Sequence, residues 1–287
     1  MNMHCEPQIH LFVASHKEVW IPQAECIVPL RTDQKSGDNI SDKTDYCELR
    51  AQYWVWKNAR ILDEDYVGFF HYRRYLDFNP AKCRPCPVKD KNPLPYSIQK
   101  RPNEQNYNRA FILPAVAGFD VIAPIWEYTG LTVWERYGRS TGHHAADLQL
   151  VHQIIAEKYP AFCHAADIYL NGLGEYYGNI YVMRWPLFRQ YCSWIFDILD
   201  EFDARSKCPS AHANGYLGER LFGIYFTWLK SQPSLSCGEY PRIHFSYYDD
   251  EKHSMFFKAF CNMILPPGSR KRGKVLQIVS KFRKKET

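Results

Sequence analysis

An α/β sandwich is the fold class this sequence predicts, and three observations predict it. Short β-branched or aromatic runs at 9–14, 66–71, 120–123 and 180–183 have the composition of strands. Longer segments between them carry apolar residues at helical spacing. Strands alternating with helices form a sheet covered on its faces, and 287 residues suit one large domain with peripheral additions.

The first helix is expected from Asp45 to Asn58, where Tyr46, Leu49, Tyr53 and Trp56 share a stripe and Asp45 with Glu48 fits a capping box. From 79 to 114 the periodicity disappears and Pro80, Pro85, Pro87, Pro93, Pro95 and Pro102 interrupt the chain. Residues 79–117 therefore read as a loop insertion within a main domain spanning 1–265, placed to act as a lid or binding surface. A helix ending at Pro160 follows His143, His144 and Asp147, with Asp147 as its candidate cap. Pro186 opens the next helix, whose buried stripe is Leu187, Tyr191, Trp194, Ile195 and Ile198. A further helix after Asn214 and Gly215 buries Leu217, Leu221, Ile224 and Trp228, with Glu219 on its opposite side.

Hydrophobic residues make up 46% and aromatic residues 16% of the chain, enough to fill such a core; the aromatic excess also suits a sugar site. No run of about 18 apolar residues occurs, and residues 1–7 lack the basic-then-apolar order of a secretory signal, so a cytoplasmic protein is expected. Ten scattered cysteines then read as free thiols, and the close pair Cys83 and Cys86 lacks the second pair that a zinc site needs. The net charge of +5 is uneven: residues 266–287 hold eight Lys and Arg against one Glu, so the rest of the chain carries −2. Val275, Leu276, Ile278, Val279 and Phe282 lie among those charges at near-helical spacing. This suits an amphipathic helix on an anionic bilayer better than a nucleic-acid arm, where apolar residues would serve nothing.

The chemistry-bearing residues concentrate where the strand at 66–71 runs into His71-Tyr-Arg-Arg-Tyr75. Reactive groups of α/β enzymes sit at strand ends. The forked donors of Arg73 and Arg74 match phosphate oxygens, and His71 adds a further donor; a surface pair bridging carboxylates is the plainer alternative.

That segment belongs to a series: Val13-Ala-Ser-His-Lys17, Asp38-Asn-Ile-Ser41, Tyr46-Cys-Glu-Leu49, Tyr53-Trp-Val-Trp-Lys-Asn58, His71-Tyr-Arg-Arg-Tyr75, Gly178-Asn-Ile-Tyr-Val-Met183 and Gly218-Glu-Arg-Leu221. From Ile9 to Trp228 the series resembles a bacterial family long catalogued as a domain of unknown function. Its members occur in capsule, O-antigen and exopolysaccharide gene clusters and include galactofuranosyltransferases. Arg50 and Gln52 depart from the family pattern, as does Ile180-Tyr181.

The resemblance implies a glycosyltransferase A-like, Rossmann-type sandwich, a nucleotide-diphosphate-sugar donor, and a glycan or undecaprenyl-linked acceptor met at the cytoplasmic face of the inner membrane. Many enzymes of that fold hold a metal through Asp-x-Asp at a strand end; His71 to Arg74 offers no carboxylate there. The expectation is therefore a metal-independent reaction without cofactor, in which Arg73 and Arg74 stabilise the departing diphosphate, assisted by His71 and Tyr72. Gly218-Glu-Arg-Leu221 is similar to the acidic motif that supplies the base of inverting members, which makes Glu219 the expected base, although pairing with Arg220 or the helix dipole also explains it. Ser15, His16, Lys17, Asp38, Asn39, Glu48, Lys57, Asn58 and Asn179 are candidate donor contacts, with Ser41 beside them. His143, His144 and Asp147 are candidate acceptor contacts. A pyranose donor, a non-catalytic assembly scaffold and an RNA-binding protein are the competing readings; a scaffold has no need of this residue set, and a core of net −2 argues against RNA.

Overall fold

The strand-like runs become the centre of a mixed sheet in the computed structural model, which describes residues 6–79, 81, 84–85, 96–248, 264–265, 269, 271–275 and 278. In chain order the strands are β1 (Ile9–Ser15), β2 (Ile27–Arg31), β3 (Tyr66–His71), β4 (Arg74–Leu76), β5 (Arg84–Pro85), β6 (Tyr96–Gln99), β7 (Val121–Pro124), β8 (Glu127–Tyr128), β9 (Gly174–Glu175), β10 (Tyr181–Arg184), β11 (Cys237–Tyr240) and β12 (Arg242–Phe245). The helices are α1 (Leu49–Asn58), α2 (Arg109–Val116), α3 (Val133–Arg139), α4 (Ala145–Lys158), α5 (Cys163–Leu170), α6 (Trp185–Arg205) and α7 (Ala213–Lys230).

β3 is the hub. β1 lies parallel to it and to β2, while β10 runs antiparallel between β3 and β7, and β11 continues parallel to β7. At its end β3 folds back through Tyr72 and Arg73 into β4, pairing His71 with Arg74; β12 and then β6 extend that side. Side chains alternate between faces, as strand geometry requires. Phe12 and Phe69 enter the layer formed with α1, α4, α6 and α7, whereas Leu11, Val13 and Phe70 enter the layer that holds Ile112 and Val116 of α2.

Several expectations meet corrections. The capping box does not form: α1 starts at Leu49 after a 3-10 turn, because Cys47 takes a left-handed φ of 48°. Longer-range donors capture the two carboxylates instead, Asn214 Nδ2 donating to Asp45 at 2.7 Å and Asn179 Nδ2 to Glu48 at 2.9 Å. Asp147 caps nothing, since its Oδ2 accepts from the amide and hydroxyl of Ser210 at 3.0 and 2.7 Å. The described part of 79–117 is not mere loop: it supplies β6, a 3-10 turn at Glu104–Tyr107, and α2, whose Ile112 and Val116 are buried. Its elements are too short, and too interrupted by proline, to show a period. Cys83 and Cys86 lie outside the described residues, as do Leu276, Val279 and Phe282 of the tail. Residues 271–275 and 278 are helical, with Val275 and Ile278 exposed.

Helix α7 packs directly on its neighbours through Gly215, Gly218 and Gly223, where a side chain would collide. A Cβ on Gly223 would come within 2.0 Å of the Tyr169 ring, whose residue is buried. Gly223→Ala is therefore expected to destabilise the fold by about 1–3 kcal/mol through overpacking, despite alanine's better helix propensity. Urea unfolding against wild type checks this; unchanged or raised stability would show that α5 yields freely.

Candidate active site

The C-terminal ends of β1 and β3 open into a cleft of about 430 Å³. His16 and His71 stand on the sheet side; Thr44, Cys47, Glu48, Arg50, His212 and Tyr216 close it from α1, α7 and the turns before them. A strand-end location follows from the sheet: β1 and β3 are parallel and in register, so Ala14 pairs with His71 and both reach the same rim.

His71 is electrostatically fixed. Burial, followed by the charges of Arg74 and Arg73, holds its imidazole well below the usual range, so it is neutral at pH 7. Its Nδ1 accepts from the Arg73 amide at 3.3 Å, which leaves the proton on Nε2 as a donor. Tyr72, itself buried, has basic side chains around it: the His16 ring lies 5.6 Å away, Lys17 Nζ is 5.9 Å from its centroid and the Arg73 guanidinium 5.4 Å. His16 is also lowered, by burial first and then by Lys17, Arg73, Arg31 and Arg50. A rim of neutral imidazoles among guanidinium groups attracts anions and offers donors.

Opposite stands a carboxylate pair. Glu48 lines the cleft with Oε1 held by Asn179, and desolvation is the first cause that raises it above the usual carboxylate range; the charge of Glu219 adds to this and that of Arg74 opposes it. Glu219 is tied at both oxygens, Oε1 accepting from the Gly178 amide at 2.7 Å and Oε2 from Arg220 at 2.8 Å. Arg220 is buried and reaches on to the buried Glu175 at 3.0 Å, which Arg136 approaches at 3.3 Å. Gly178 and Asn179, at φ 93° and 49°, form the turn between the two carboxylates. Gly178 also packs near the Arg74 side chain, whose charge acts on both His71 and Glu48.

Arg50 is the structural key of the lower wall. Its guanidinium donates to the carbonyls of Cys47 and Ser41 and to the Thr32 hydroxyl at 3.1, 2.8 and 3.1 Å, knitting the loop before α1 to β2. Among the described residues, the non-glycine positions with positive φ are Cys47, Asn179 and His212, and all three border this site. Such conformations cost about 1 kcal/mol or more each and persist where surrounding contacts over-determine them.

The remaining sequence candidates fall elsewhere. Ser15 is buried behind the rim, its carbonyl accepting from the Thr32 amide. Asp38, Asn39 and Asn58 form a clasp of their own: Asn58 bonds both the amide and the carbonyl of Asp38, and Asn39 bonds the carbonyls of Lys35 and Gly37. Lys57 lies over the Trp56 ring at 3.6 Å. His143 is one layer behind the cleft, 4.0 Å from the ring of Tyr216, while the exposed His144 contacts the Cys208 carbonyl. Thr32, Thr44, Cys47, His212 and Tyr216 escaped the sequence reading, and Arg50 was noticed only as a departure from pattern. A histidine preceding Ala-Asn-Gly was the one usable signal, marking a turn into α7. Among the described residues no three His, Cys, Asp or Glu side chains gather as metal ligands.

Burial, then Arg220 and Arg136, push His143 down to about 4. The unfolded chain titrates this imidazole near about 6.5, so below that pH the unfolded state binds the extra proton and the fold loses stability, down to the folded value. Urea midpoints measured from pH 7 to pH 5 should fall for wild type and fall less steeply for His143→Gln; equal slopes would remove His143 as a contributor.

No curated protein sequence matches the chain. Among solved structures, the apo form of WbbM, a bifunctional glycosyltransferase, superposes with a TM-score of 0.73 and 29% identity over 83% of this chain. The match covers 45% of WbbM, so the chain spans under half the length of that protein. The shared fold agrees with the glycosyltransferase A-like sandwich. Residues 10–231, from β1 through α7 and including both carboxylates, match the family described as Domain of unknown function (DUF4422), and the chain belongs to that family.

Proposed function

We propose that this chain is a glycosyltransferase that moves a galactofuranosyl group from UDP-galactofuranose to a hydroxyl of a growing bacterial surface polysaccharide or lipid-linked oligosaccharide, with inversion. The observation that carries the reading is that His71 and Glu48 line one strand-end cleft, with Arg74 close enough to act on both, in a chain similar to WbbM. The cleft volume of about 430 Å³ suits a nucleotide-sugar portion.

In the proposed reaction the acceptor hydroxyl oxygen attacks the anomeric carbon while the bond from that carbon to the diphosphate oxygen breaks, its electron pair leaving on the nucleotide. Arg73 and Arg74 neutralise the charge that develops there, and the His71 Nε2 proton donates to a phosphate oxygen. The hydroxyl proton must go to a carboxylate. Glu219 was the expected base, but both of its oxygens are engaged, whereas Glu48 faces the cleft with a raised proton affinity. Glu48 therefore takes the proton, and Glu219 holds the Gly178–Asn179 turn that orients it. No metal or cofactor enters this scheme. The basic tail keeps the enzyme on the cytoplasmic face of the inner membrane, where an undecaprenyl-linked acceptor is presented, a placement supported by Val275 and Ile278 exposed beside Lys271 and Lys274.

The test is turnover by purified protein with UDP-galactose, UDP-glucose, and UDP-galactofuranose generated by a mutase, each with and without EDTA. Turnover that requires the mutase and survives EDTA is expected; use of a pyranose donor without it overturns the furanose assignment, and loss to EDTA restored by manganese overturns the arginine mechanism. Glu48→Gln should lose about a hundredfold or more in kcat and Glu219→Gln only about tenfold, given the usual worth of a general base. The reverse order would return the base to Glu219.

A further inference from the structure

We propose that the β8–β9 ribbon is part of a membrane-docking face, with Trp126 entering an anionic bilayer interface beside the basic helical segment at 271–275 and 278. This rests on the reading of the tail as a membrane-surface element and extends it to the body of the domain.

The ribbon's position follows from strand directions. β7 is antiparallel to β10, and β10 to β3, so β7 runs with β3 and ends at the rim where the cleft opens. Trp126 and β8 follow directly. The indole is seated on bare backbone: a Cβ on Gly174 would come within 1.9 Å of the Trp126 ring, so glycine is what lets it lie flat across the ribbon. Even so seated, Trp126 is 36% exposed and Leu173, the residue before Gly174, is 44% exposed. Register puts Leu173 on the opposite face of the ribbon, so it is the indole, sharing a face with Tyr128 and Gly174, that has the character of an interfacial anchor.

The tail reaches this same ribbon. Gly273 packs on the Tyr128 ring, where a Cβ would lie 2.5 Å from Cε1 and 3.4 Å from the Gly130 amide nitrogen. Arg272 turns back to the Leu265 carbonyl, while Lys271, Lys274, Val275 and Ile278 remain exposed. Cations and apolar side chains are thus brought beside Trp126, whose ring neighbours that of Tyr128, by a contact of glycine on tyrosine. With eight basic residues and one acidic residue from Arg270 onward, the complementary surface is anionic headgroups over a hydrocarbon layer. Nucleic acid would satisfy the lysines and leave Val275 and Ile278 in water. A second aromatic group points the same way. β12 runs antiparallel to β4 and hence along β3, and just past its end Tyr247 meets Trp20 at 6.4 Å, with the Arg101 guanidinium 3.7 Å over the Tyr247 ring. Trp20 and Tyr247 are both exposed, on the rim that also holds the cleft.

The experiment is flotation of the full chain with vesicles of phosphatidylcholine alone or holding about 30% phosphatidylglycerol, with no donor present. Wild type should float only with the anionic vesicles. Trp126→Ala should weaken binding about tenfold, as loss of buried apolar area predicts. Lys271→Glu with Lys274→Glu should do so by about tenfold or more. Both variants should keep wild-type turnover on a water-soluble acceptor. Brominated lipids should quench wild-type tryptophan fluorescence more than that of Trp126→Phe, a readout that needs no destabilising change. Equal quenching, or a loss of binding confined to the charge-reversed variant, overturns docking of the ribbon and leaves the tail reading intact. Failure of wild type to float, or preference for single-stranded RNA over vesicles, overturns both; the transferase reading is judged separately, by donor turnover.

Discussion

The site depends on one steric constraint, the absence of side chains on the face of α7 that meets the turn before α1. A Cβ on Gly215 would approach Cys47 Sγ to 2.8 Å, and one on Gly218 would approach Leu49 Cδ1 to 2.7 Å. Only because both are missing do the side chains of Cys47 and Leu49 seat against the helix. That contact sets Glu48, on the turn, beside Glu219, on the helix, and leaves Asn179 room to bond both Glu48 and the Gly215 carbonyl, the latter at 3.3 Å. Interiors are packed too tightly for a methyl group to be absorbed there without moving one wall of the cleft.

Charge is arranged around that contact in two tiers. The inner tier is the cleft, where His71 is kept neutral by burial and by the cations beside it, and Glu48 is desolvated. Behind it Glu175, fully buried, is flanked by Arg136 and Arg220, and Arg220 extends to Glu219. A buried carboxylate survives only when it is paired, and the pairing here also fixes the rotamer of Arg220 and through it the position of Glu219. The Gly178–Asn179 turn, and with it one wall of the cleft, is thus anchored in the protein interior rather than in a surface loop.

Much of this architecture is legible in the chain itself. The run at 66–71 is bounded and continuously apolar, and β3 begins and ends where that composition does, because a strand buried on both faces needs no alternation. The helices at 185–205 and 213–230 declare themselves by stripe and proline. Local rules fail where distant partners outbid them: Asp45 and Glu48 look like a capping box, but side chains 169 and 131 residues away hold them. For the site, residues that follow a strand end were readable, hence His16 and His71. Arg50, Cys47, His212 and Tyr216 were not, because their place in the cleft depends on how closely α7 approaches α1, a property of missing Cβ atoms that no motif records.

The left-handed backbone at Cys47, Asn179 and His212 has a consequence for anyone who would improve this protein. Glycine accepts that conformation without steric penalty, so each position is an attractive target for thermostabilisation. Each exchange would also remove a side chain from the border of the cleft, and at Asn179 the bond that holds Glu48. The most accessible route to a hardier protein therefore runs through its working parts, and a variant selected for heat resistance alone would drift toward a well-folded but idle domain.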